Sequence, residues 1–373
     1  MSFSPLSAVK HRITLGAPIP FNIRNADGTL LLARGKVLNS TDQIDALEDR
    51  GALVDSEDPS SIAAQVRNAP VERLPALWSA CMTRVGRTLH DSVLPNFTDS
   101  LELVSKPVLA LIERDPDLAI FQMVRPDRAD QAGYGVTHSL HTAMACCLVA
   151  HRLDWPDVDA QRAFKAALTM NLAMLDLQGK LANQLTPVTA AQREAIREHP
   201  TRSVEIMQAS GIDDETWLTT VLQHHELPDG KGYPQGQAEV SDLARLLRYI
   251  DIHTAKLSRR VSREALSADD AARRLFVAHQ ADPIVSAIVK EFGIYPPGCY
   301  VTLASGESGI VIKRGPHANT PVVAALTGRR GDPLVEPLRR DTALRDHAIT
   351  GVLPEKAIRV RISPERLVKL ASA

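Results

Sequence analysis

The sequence predicts a mainly α-helical fold, in which a helical bundle is flanked by a small β-rich N-terminal module and a β-rich C-terminal segment. Two observations support this prediction. Between about Val71 and Phe292 the apolar residues recur at helical spacing, as in HSLHTAMACCLVAHRL and SDLARLLRYIDIHTAKL. Outside that range, short runs rich in valine and isoleucine, such as CYVTLASGESGIVIKRG, are typical of strands.

The N-terminal module is expected to span residues 1–56. Its β-type runs flank a turn at Asn25-Ala26-Asp27-Gly28, and Ser40 to Asp42 offer a cap for a short helix that ends near Gly51. Residues 57–70 are polar and bounded by proline, which is typical of a linker. The rest of the chain divides into a helical lead-in (71–125), the main helical domain (126–293) and a β-rich C-terminal extension (294–373).

Composition limits the classes of partner and the compartment. The apolar content of 44% and charged content of 23% are ordinary for a globular protein, and a net charge of −1 gives no general attraction to nucleic acid or to an anionic membrane. The four cysteines show no CxxC spacing, and the first residues, MSFSPLSAVKHRITLG, lack the apolar core of a signal peptide. We therefore expect a cytoplasmic protein with neither nucleic acid nor membrane as a partner.

Five residues of the helical body have the chemistry of metal ligands. His138 begins a helix, His199 lies in REHPTRSV, His224 and His225 are adjacent, and Asp251 lies in RYIDIHTAK. Imidazole nitrogens and carboxylate oxygens suit iron, manganese or zinc, and helical bundles build such sites where several helices converge. These five residues are the predicted metal ligands.

The motif HHE followed by DGKGYP closely resembles the signature of the HD-GYP family, whose active members hydrolyse the bacterial messenger cyclic di-GMP. The similarity extends from about Tyr134 to Ala265. GYGVTHSLHTAMACCLVAHRLDWP resembles the first metal-binding helix of the family, with His138 at the ligand position, and TAAQREAIREHPTRSVEIM resembles the segment that carries the next histidine, His199. YIDIHTAKLSRRVSREAL is similar to the helix that supplies Asp251 and then an arginine, Arg260 or Arg259. The resemblance implies an HD-type helical bundle.

The DGKGYP loop is the predicted ligand site. Gly230 and Gly232 permit a tight backbone path, and Tyr233-Pro234 fixes its exit. In the family this loop lies beside the metals and has been linked to substrate and to partner domains. The resemblance therefore implies that a phosphate-bearing ligand contacts Asp229, Gly230, Lys231, Gly232, Tyr233, Pro234 and Arg260.

The chain departs from the family at the HD pair itself. Counting forward from His138 and backward from His199 places that pair on Met170-Asn171, and the lysine three residues later on Met174. An alternative register would use Leu175-Asp176 with Lys180, but it requires a five-residue insertion and an equal deletion, and it restores no histidine.

The replaced residues change the expected chemistry. In the family the HD aspartate bridges two metals that activate the attacking water. Asn171 brings no negative charge, the thioether of Met170 is a soft donor mismatched to iron or manganese, and Met174 removes a cation that could stabilise phosphate charge. A two-metal mechanism is therefore not expected, and no catalytic residue is assigned.

Two outcomes for the metal site follow from the sequence. His199, His224 and His225, with Asn171 or Asp251, could hold one divalent transition metal, iron, manganese or zinc. In the alternative, Met170 and Met174 fill the former cavity and no metal binds.

Three functions are compatible with these residues. The first is a catalytically degenerate HD-GYP protein that acts in signalling as a nucleotide-binding or protein-interaction module. The second is an active metal-dependent phosphodiesterase or other phosphohydrolase with a reduced metal site. The third is a regulatory adaptor without metal or nucleotide. The candidate partners are cyclic di-GMP or a related dinucleotide, a protein of the signalling pathway, and a second copy of the chain in a homodimer.

Overall fold

The computed structural model divides the chain into two compact units, Met1–Ala69 and Pro70–Ala373. It describes residues 3–10, 13–19, 21–27, 29–33, 35–55, 62–94, 96–125, 133–258, 261, 266–279, 282–358, 360 and 363–372. Helices dominate, and one sheet lies near each end of the sequence. This confirms the predicted class: mainly α, with β-rich segments flanking the helical body.

The N-terminal unit is a four-stranded antiparallel sheet with short helices. Its strands are β1 (Phe3–Pro5), β2 (Ile23–Arg24), β3 (Leu30–Leu32) and β4 (Leu53–Asp55), in the order β1-β4-β2-β3, and its helices are α1 (Leu6–Val9), α2 (Thr41–Asp49) and α3 (Ile62–Asn68). Ser40 and Gln43 cap α2 reciprocally, as the sequence predicts for its start. Helix α3 lies in the range that the sequence suggests is a linker, and Gly28 lies outside the described residues.

The helical body is built around one buried helix. Its helices are α4 (Leu74–His90), α5 (Phe97–Arg114), α6 (Pro116–Val124), α7 (Tyr134–Arg152), α8 (Asp157–Thr169), α9 (Leu175–Asn183), α10 (Ala190–Ala209), α11 (Glu215–Gln223), α12 (Asp242–Leu257), α13 (Ala268–Ala278) and α14 (Pro283–Phe292). Every residue of α7 from His138 to Ala150 is buried, because α8, α9, α12 and α14 pack around it. A helix that is enclosed in this way fixes the positions of its polar side chains firmly.

The C-terminal sheet is antiparallel and packs on the helical body. Its strands are β5 (Tyr300–Leu303), β6 (Ser308–Lys313), β7 (Val322–Thr327), β8 (Pro333–Asp341) and β9 (Ile349–Leu353), in the order β8-β7-β6-β5-β9. The last described helix, α15 (Pro364–Ser372), covers one face through Leu367, which packs with Ile310, Ile312 and Leu326.

An ionic network joins the sheet to the helices. Arg314, at the end of β6, donates from Nε to Asp117 of α6 over 2.5 Å and also contacts the carboxylate of Glu291 in α14. Glu291 contacts Arg152 of α7 as well. Each carboxylate is therefore paired as it becomes buried, which such a site requires. Among the described helices, none combines the length and the apolar character that crossing a lipid bilayer requires.

Candidate metal centre

Four helices bring the five predicted metal ligands to one side of α7. His138 lies on α7, His199 on α10, and Asp251 on α12, while His224 and His225 directly follow α11. The starts of α10, α11 and α12 are each fixed by a side-chain cap, from Thr189, Asp214 and Ser241.

Three of the five residues form a cluster. The rings of His199, His224 and His225 each offer a nitrogen, and these nitrogens all lie within 4.8 Å of one another. The Nε2 atoms of His199 and His224 are 3.2 Å apart. The ring centroids of His224 and His225 are 4.1 Å apart.

Backbone carbonyls fix the tautomers of two of these rings. His199 donates from Nδ1 to the carbonyl of Ile196 over 2.5 Å, and His224 donates from Nδ1 to the carbonyl of Val221 over 2.6 Å. Both carbonyls can accept from a side chain because neither has the usual N–H donor of a helix. Pro200 has no N–H to bond Ile196 within α10, and Val221 lies in the last turn of α11, whose carbonyls lack helical partners.

The consequence is that both Nε2 atoms present lone pairs to each other. Burial, followed by the neighbouring His224, lowers the pKa of His199 to about 3, and burial also lowers the pKa of His224 and His225. Neutral imidazoles are the form that binds metals. Two facing lone pairs at 3.2 Å repel each other unless a cation lies between them. Nitrogens bound at about 2.0–2.1 Å to one zinc, at about 90 to 110°, lie roughly 2.8–3.4 Å apart, so the separation of the His199 and His224 nitrogens fits such an ion.

The remaining two predicted ligands bond to each other instead. His138 donates from Nε2 to the Asp251 carboxylate over 2.6 Å. Burial by itself would raise the pKa of Asp251, but the hydrogen bond and charge of His138, with His225 and His224 nearby, outweigh it, so the pKa lies below the ordinary value. The other ring nitrogen of His138 is buried without a partner among the described residues. The site therefore contains a three-histidine cluster and a separate histidine–carboxylate pair.

A cavity of about 180 Å³ adjoins both groups. It is lined by Tyr134, His138, Asn171, Met174, Gln178, Leu181, Ile196, His225, Tyr233, Asp251 and Ala255. No side-chain hydrogen bond joins Asn171 to another described residue, and the buried Oε1 of Gln178 also lacks a described partner. Polar groups of this kind are normally satisfied by water or a ligand.

Of the three residues that replace the HD pair and the lysine of the family, two line the cavity and one does not. Asn171 and Met174 line the cavity beside His138 and Asp251, whereas Met170 is fully buried and lies outside the lining. The alternative register would use Asp176, whose side chain is 82% exposed and lies 3.5 Å from His90. The two methionines leave the cavity open rather than filling it.

The DGKGYP loop is held by a buried glutamate. Glu226 is 1% exposed, and its carboxylate accepts backbone N–H groups from Gln235 (2.7 Å), Gly236 (3.1 Å) and Gln237 (3.0 Å). A Cβ on Gly232 would lie 2.4 Å from the Cα of Glu226, so only glycine permits this backbone approach. The sequence motif includes Glu226 without predicting this role.

The other residues of the loop lie at different distances from the cluster. Tyr233 stacks on His225 with ring centroids 4.6 Å apart, and the peptide bond to Pro234 is cis. Gly230 has a φ of +72°, at the turn. Asp229 and Lys231 are exposed and lie 3.4 Å from each other, away from the cavity lining. Arg259 and Arg260 lie outside the described residues.

Two polar residues of the lining, Tyr134 and Gln178, were not predicted from the sequence. Tyr134 stacks on His138 with centroids 5.9 Å apart. Gln178 lies four residues after Met174, at helical spacing, so a helix beginning near Met174 would have placed both on one face.

Replacing Glu226 with glutamine should destabilise the loop. The amide keeps one acceptor oxygen but turns an NH₂ group toward backbone N–H donors, so we expect the free energy of unfolding to fall by about 2–3 kcal/mol. Urea unfolding measures this change, and amide exchange should accelerate at Gln235, Gly236 and Gln237. Glu239→Gln, at an exposed site, is the control and should leave both unchanged. Equal stability of the two variants would contradict the role of Glu226.

The comparisons with known proteins agree with the motifs. Residues 123–282 match the model of the HD domain family. Cyclic di-GMP phosphodiesterase PA4108 of Pseudomonas aeruginosa is 29% identical over 241 residues, covering 62% of this chain and 56% of that protein. The 3'3'-cGAMP-specific phosphodiesterase 3 of Vibrio cholerae is 27% identical over 140 residues, covering 37% of this chain and 30% of that protein. The chain thus spans about half or less of these relatives.

A solved structure, described as Bd1817, a HDG"Y"P protein from Bdellovibrio bacteriovorus, aligns with 77% of this chain and 97% of its own length at 15% identity, with a TM-score of 0.49. The match of residues 123–282 to the HD domain model, the related cyclic dinucleotide phosphodiesterases and the HHE–DGKGYP motif together support an HD-GYP family domain in this chain.

Proposed function

We propose that this chain is a catalytically degenerate HD-GYP module that holds one divalent transition metal and binds cyclic di-GMP or a related dinucleotide without hydrolysing it. The metal would be held by His199, His224 and His225, as iron, manganese or zinc. The observation that carries the metal assignment is the 3.2 Å approach of two Nε2 lone pairs, each oriented by a carbonyl. A bound ion would supply positive charge for phosphate oxygens.

The loss of hydrolysis is argued from the cavity lining. Asn171 lines the cavity. By the count from His138 and His199 it stands where the family resemblance implies the bridging carboxylate, and an amide offsets none of the charge of two dications. The remaining carboxylate, Asp251, is held by His138 at 2.6 Å. A second metal would first have to displace the hydrogen bond from His138 to Asp251. The two metals would then share Asp251 as their one carboxylate, which disfavours a two-metal centre.

Ligand binding is argued from the polar groups that stay available. Asn171 can donate N–H groups to phosphate oxygens, and burial raises the pKa of Tyr233, so that its hydroxyl stays protonated and can donate as well. A cavity of about 180 Å³ is smaller than the roughly 300–1,000 Å³ of most ligand pockets. We therefore propose that one phosphodiester group enters it, while the rest of the dinucleotide lies on the rim and on the exposed loop of Asp229 and Lys231.

The second candidate is an active phosphohydrolase with a single metal. It is favoured by the donor count, because three protein nitrogens leave a coordination position open, as catalytic zinc sites do. The second candidate hydrolyses its ligand, whereas the first binds it without hydrolysis. The third function, an adaptor without metal or nucleotide, differs from both because it holds no metal.

Metal analysis combined with ligand assays tests the proposal. Purified without chelators, the chain should contain about one transition metal ion, bind cyclic di-GMP by calorimetry and release no product from it. His199→Ala should lose the metal, whereas His317→Ala, at an exposed histidine, should keep it. Turnover that disappears on metal removal would establish the phosphohydrolase instead. Absence of both metal and dinucleotide binding would leave only the adaptor.

A further inference from the structure

Among the described residues, no positively charged side chain lines the cavity beside the metal cluster. No lysine or arginine is among the described residues that line it, and its formal charge comes from Asp251. Met174 occupies the position at which the family resemblance implies a lysine. A phosphate group that entered this cavity would therefore meet a carboxylate without a compensating side-chain cation.

Arg248 is a cation that α12 places on the same face as Asp251. It lies on α12 one turn before Asp251, and residues three apart on a helix share a face, with Cβ atoms about 5–6 Å apart. Its side chain is half-buried, and no hydrogen bond or ion pair joins it to another described residue. Arg245, three residues earlier, is in contrast paired with Asp282 at 2.5 Å and Asp242 at 2.8 Å.

Helical spacing places Arg248 on the cavity side of α12. Asp251 and Ala255, three and seven residues after Arg248, both line the cavity, and residues at these spacings share one face of a helix. A half-buried guanidinium that has no anionic partner among the described residues leaves N–H donors without acceptors. Its planar N–H groups bond best to a pair of oxygen acceptors.

We infer that Arg248 binds the phosphate of an anionic ligand at the rim of the cavity, and that it supplies from α12 the positive charge that is missing at Met174. The ligand class, a phosphate or phosphodiester, rests on the proposed function. An arginine suits this task because its planar fork matches two phosphate oxygens. The long arginine side chain would extend to the rim from its backbone position in α12.

Inorganic phosphate is the probe for this inference. Its affinity for the metal-loaded chain is measured by ³¹P line broadening and by the rise in Tm when phosphate replaces chloride at constant ionic strength. Arg248→Gln should weaken phosphate binding about 10- to 100-fold, as expected for the loss of a charge-assisted contact. Arg248→Lys should retain part of it. Arg197→Gln is the matched control, because Arg197 is exposed and lies two residues before His199, where it does not share the face of that histidine.

A rescue separates phosphate binding from a purely structural role. Met174→Lys, added to Arg248→Gln, should recover phosphate affinity, because position 174 lines the cavity. Wild-type affinity in Arg248→Gln, or no phosphate binding by the wild type, would overturn the inference. Metal content, measured on the same samples, should be equal in all variants. A chain without metal that still shows Arg248-dependent phosphate binding would overturn the proposed function and leave this inference standing.

Discussion

Restoring Met170→His, Asn171→Asp and Met174→Lys in one chain is expected to create a two-metal phosphodiesterase. Asn171 and Met174 already line the cavity with His138 and Asp251, so a carboxylate and an ammonium group at these positions would face the reacting phosphate. Histidine is close in size to the buried Met170. The metal content should rise from about one to about two ions per chain. Hydrolysis of cyclic di-GMP should increase by at least about 10²- to 10³-fold, the effect of a single electrostatic group in other active sites.

Partial restorations are the controls for this experiment. Asn171→Asp alone supplies the bridging charge without the imidazole, and it should raise metal content more than activity. The triple variant built on His199→Ala should stay inactive, because the three-histidine cluster is then incomplete. A triple variant that binds two metals but hydrolyses nothing would place the defect in substrate binding. A triple variant that gains no metal would contradict the Met170-Asn171 register.

The sequence predicted the helical body and the flanking sheets because periodicity and motifs are local properties. His138 and His199 lie on separate helices and the pair His224-His225 directly follows a third, yet their roles could be proposed because the family resemblance covers each segment. Their geometry could not be predicted. The hydrogen bond between His138 and Asp251 joins residues 113 positions apart, and it depends on how α7 and α12 pack.

The unpredicted residues share a physical reason. Glu226 accepts from backbone groups nine to eleven residues later, and its neighbours in the sequence give no indication of this turn. Arg248 has the sequence signature of any helical surface arginine, and only the tertiary structure shows that no described residue forms a hydrogen bond or ion pair with it. Gln178 is different, since its helical spacing from Met174 could have identified it. The predicted phosphate ligand Arg260 stays a prediction, because it lies outside the described residues.

Pro200→Ala is expected to weaken metal binding while stabilising the metal-free protein. Alanine supplies the N–H that Pro200 lacks, and this group would bond the carbonyl of Ile196, which now accepts from Nδ1 of His199 over 2.5 Å. Competition for that carbonyl loosens the ring and its tautomer. Changes to groups that orient metal-binding histidines cost about 10- to 100-fold in affinity, and we expect a loss in this range.

Stability should change in the opposite direction. A proline within a helix costs about 3 kcal/mol, and after the lost packing and the greater freedom of the unfolded chain we expect a net gain of about 1–2 kcal/mol in chelator-treated protein. Metal titration and urea unfolding of the same preparation measure both effects.

Pro107→Ala separates the two contributions. Pro107 also lies inside a helix, α5, but α5 contributes no predicted metal ligand. This variant should change the free energy of unfolding and leave metal affinity at the wild-type value. Equal metal affinity in the wild type and Pro200→Ala would show that His199 is oriented by packing alone. A loss confined to Pro200→Ala would instead show that the missing N–H group of one proline sets the direction in which His199 presents its lone pair.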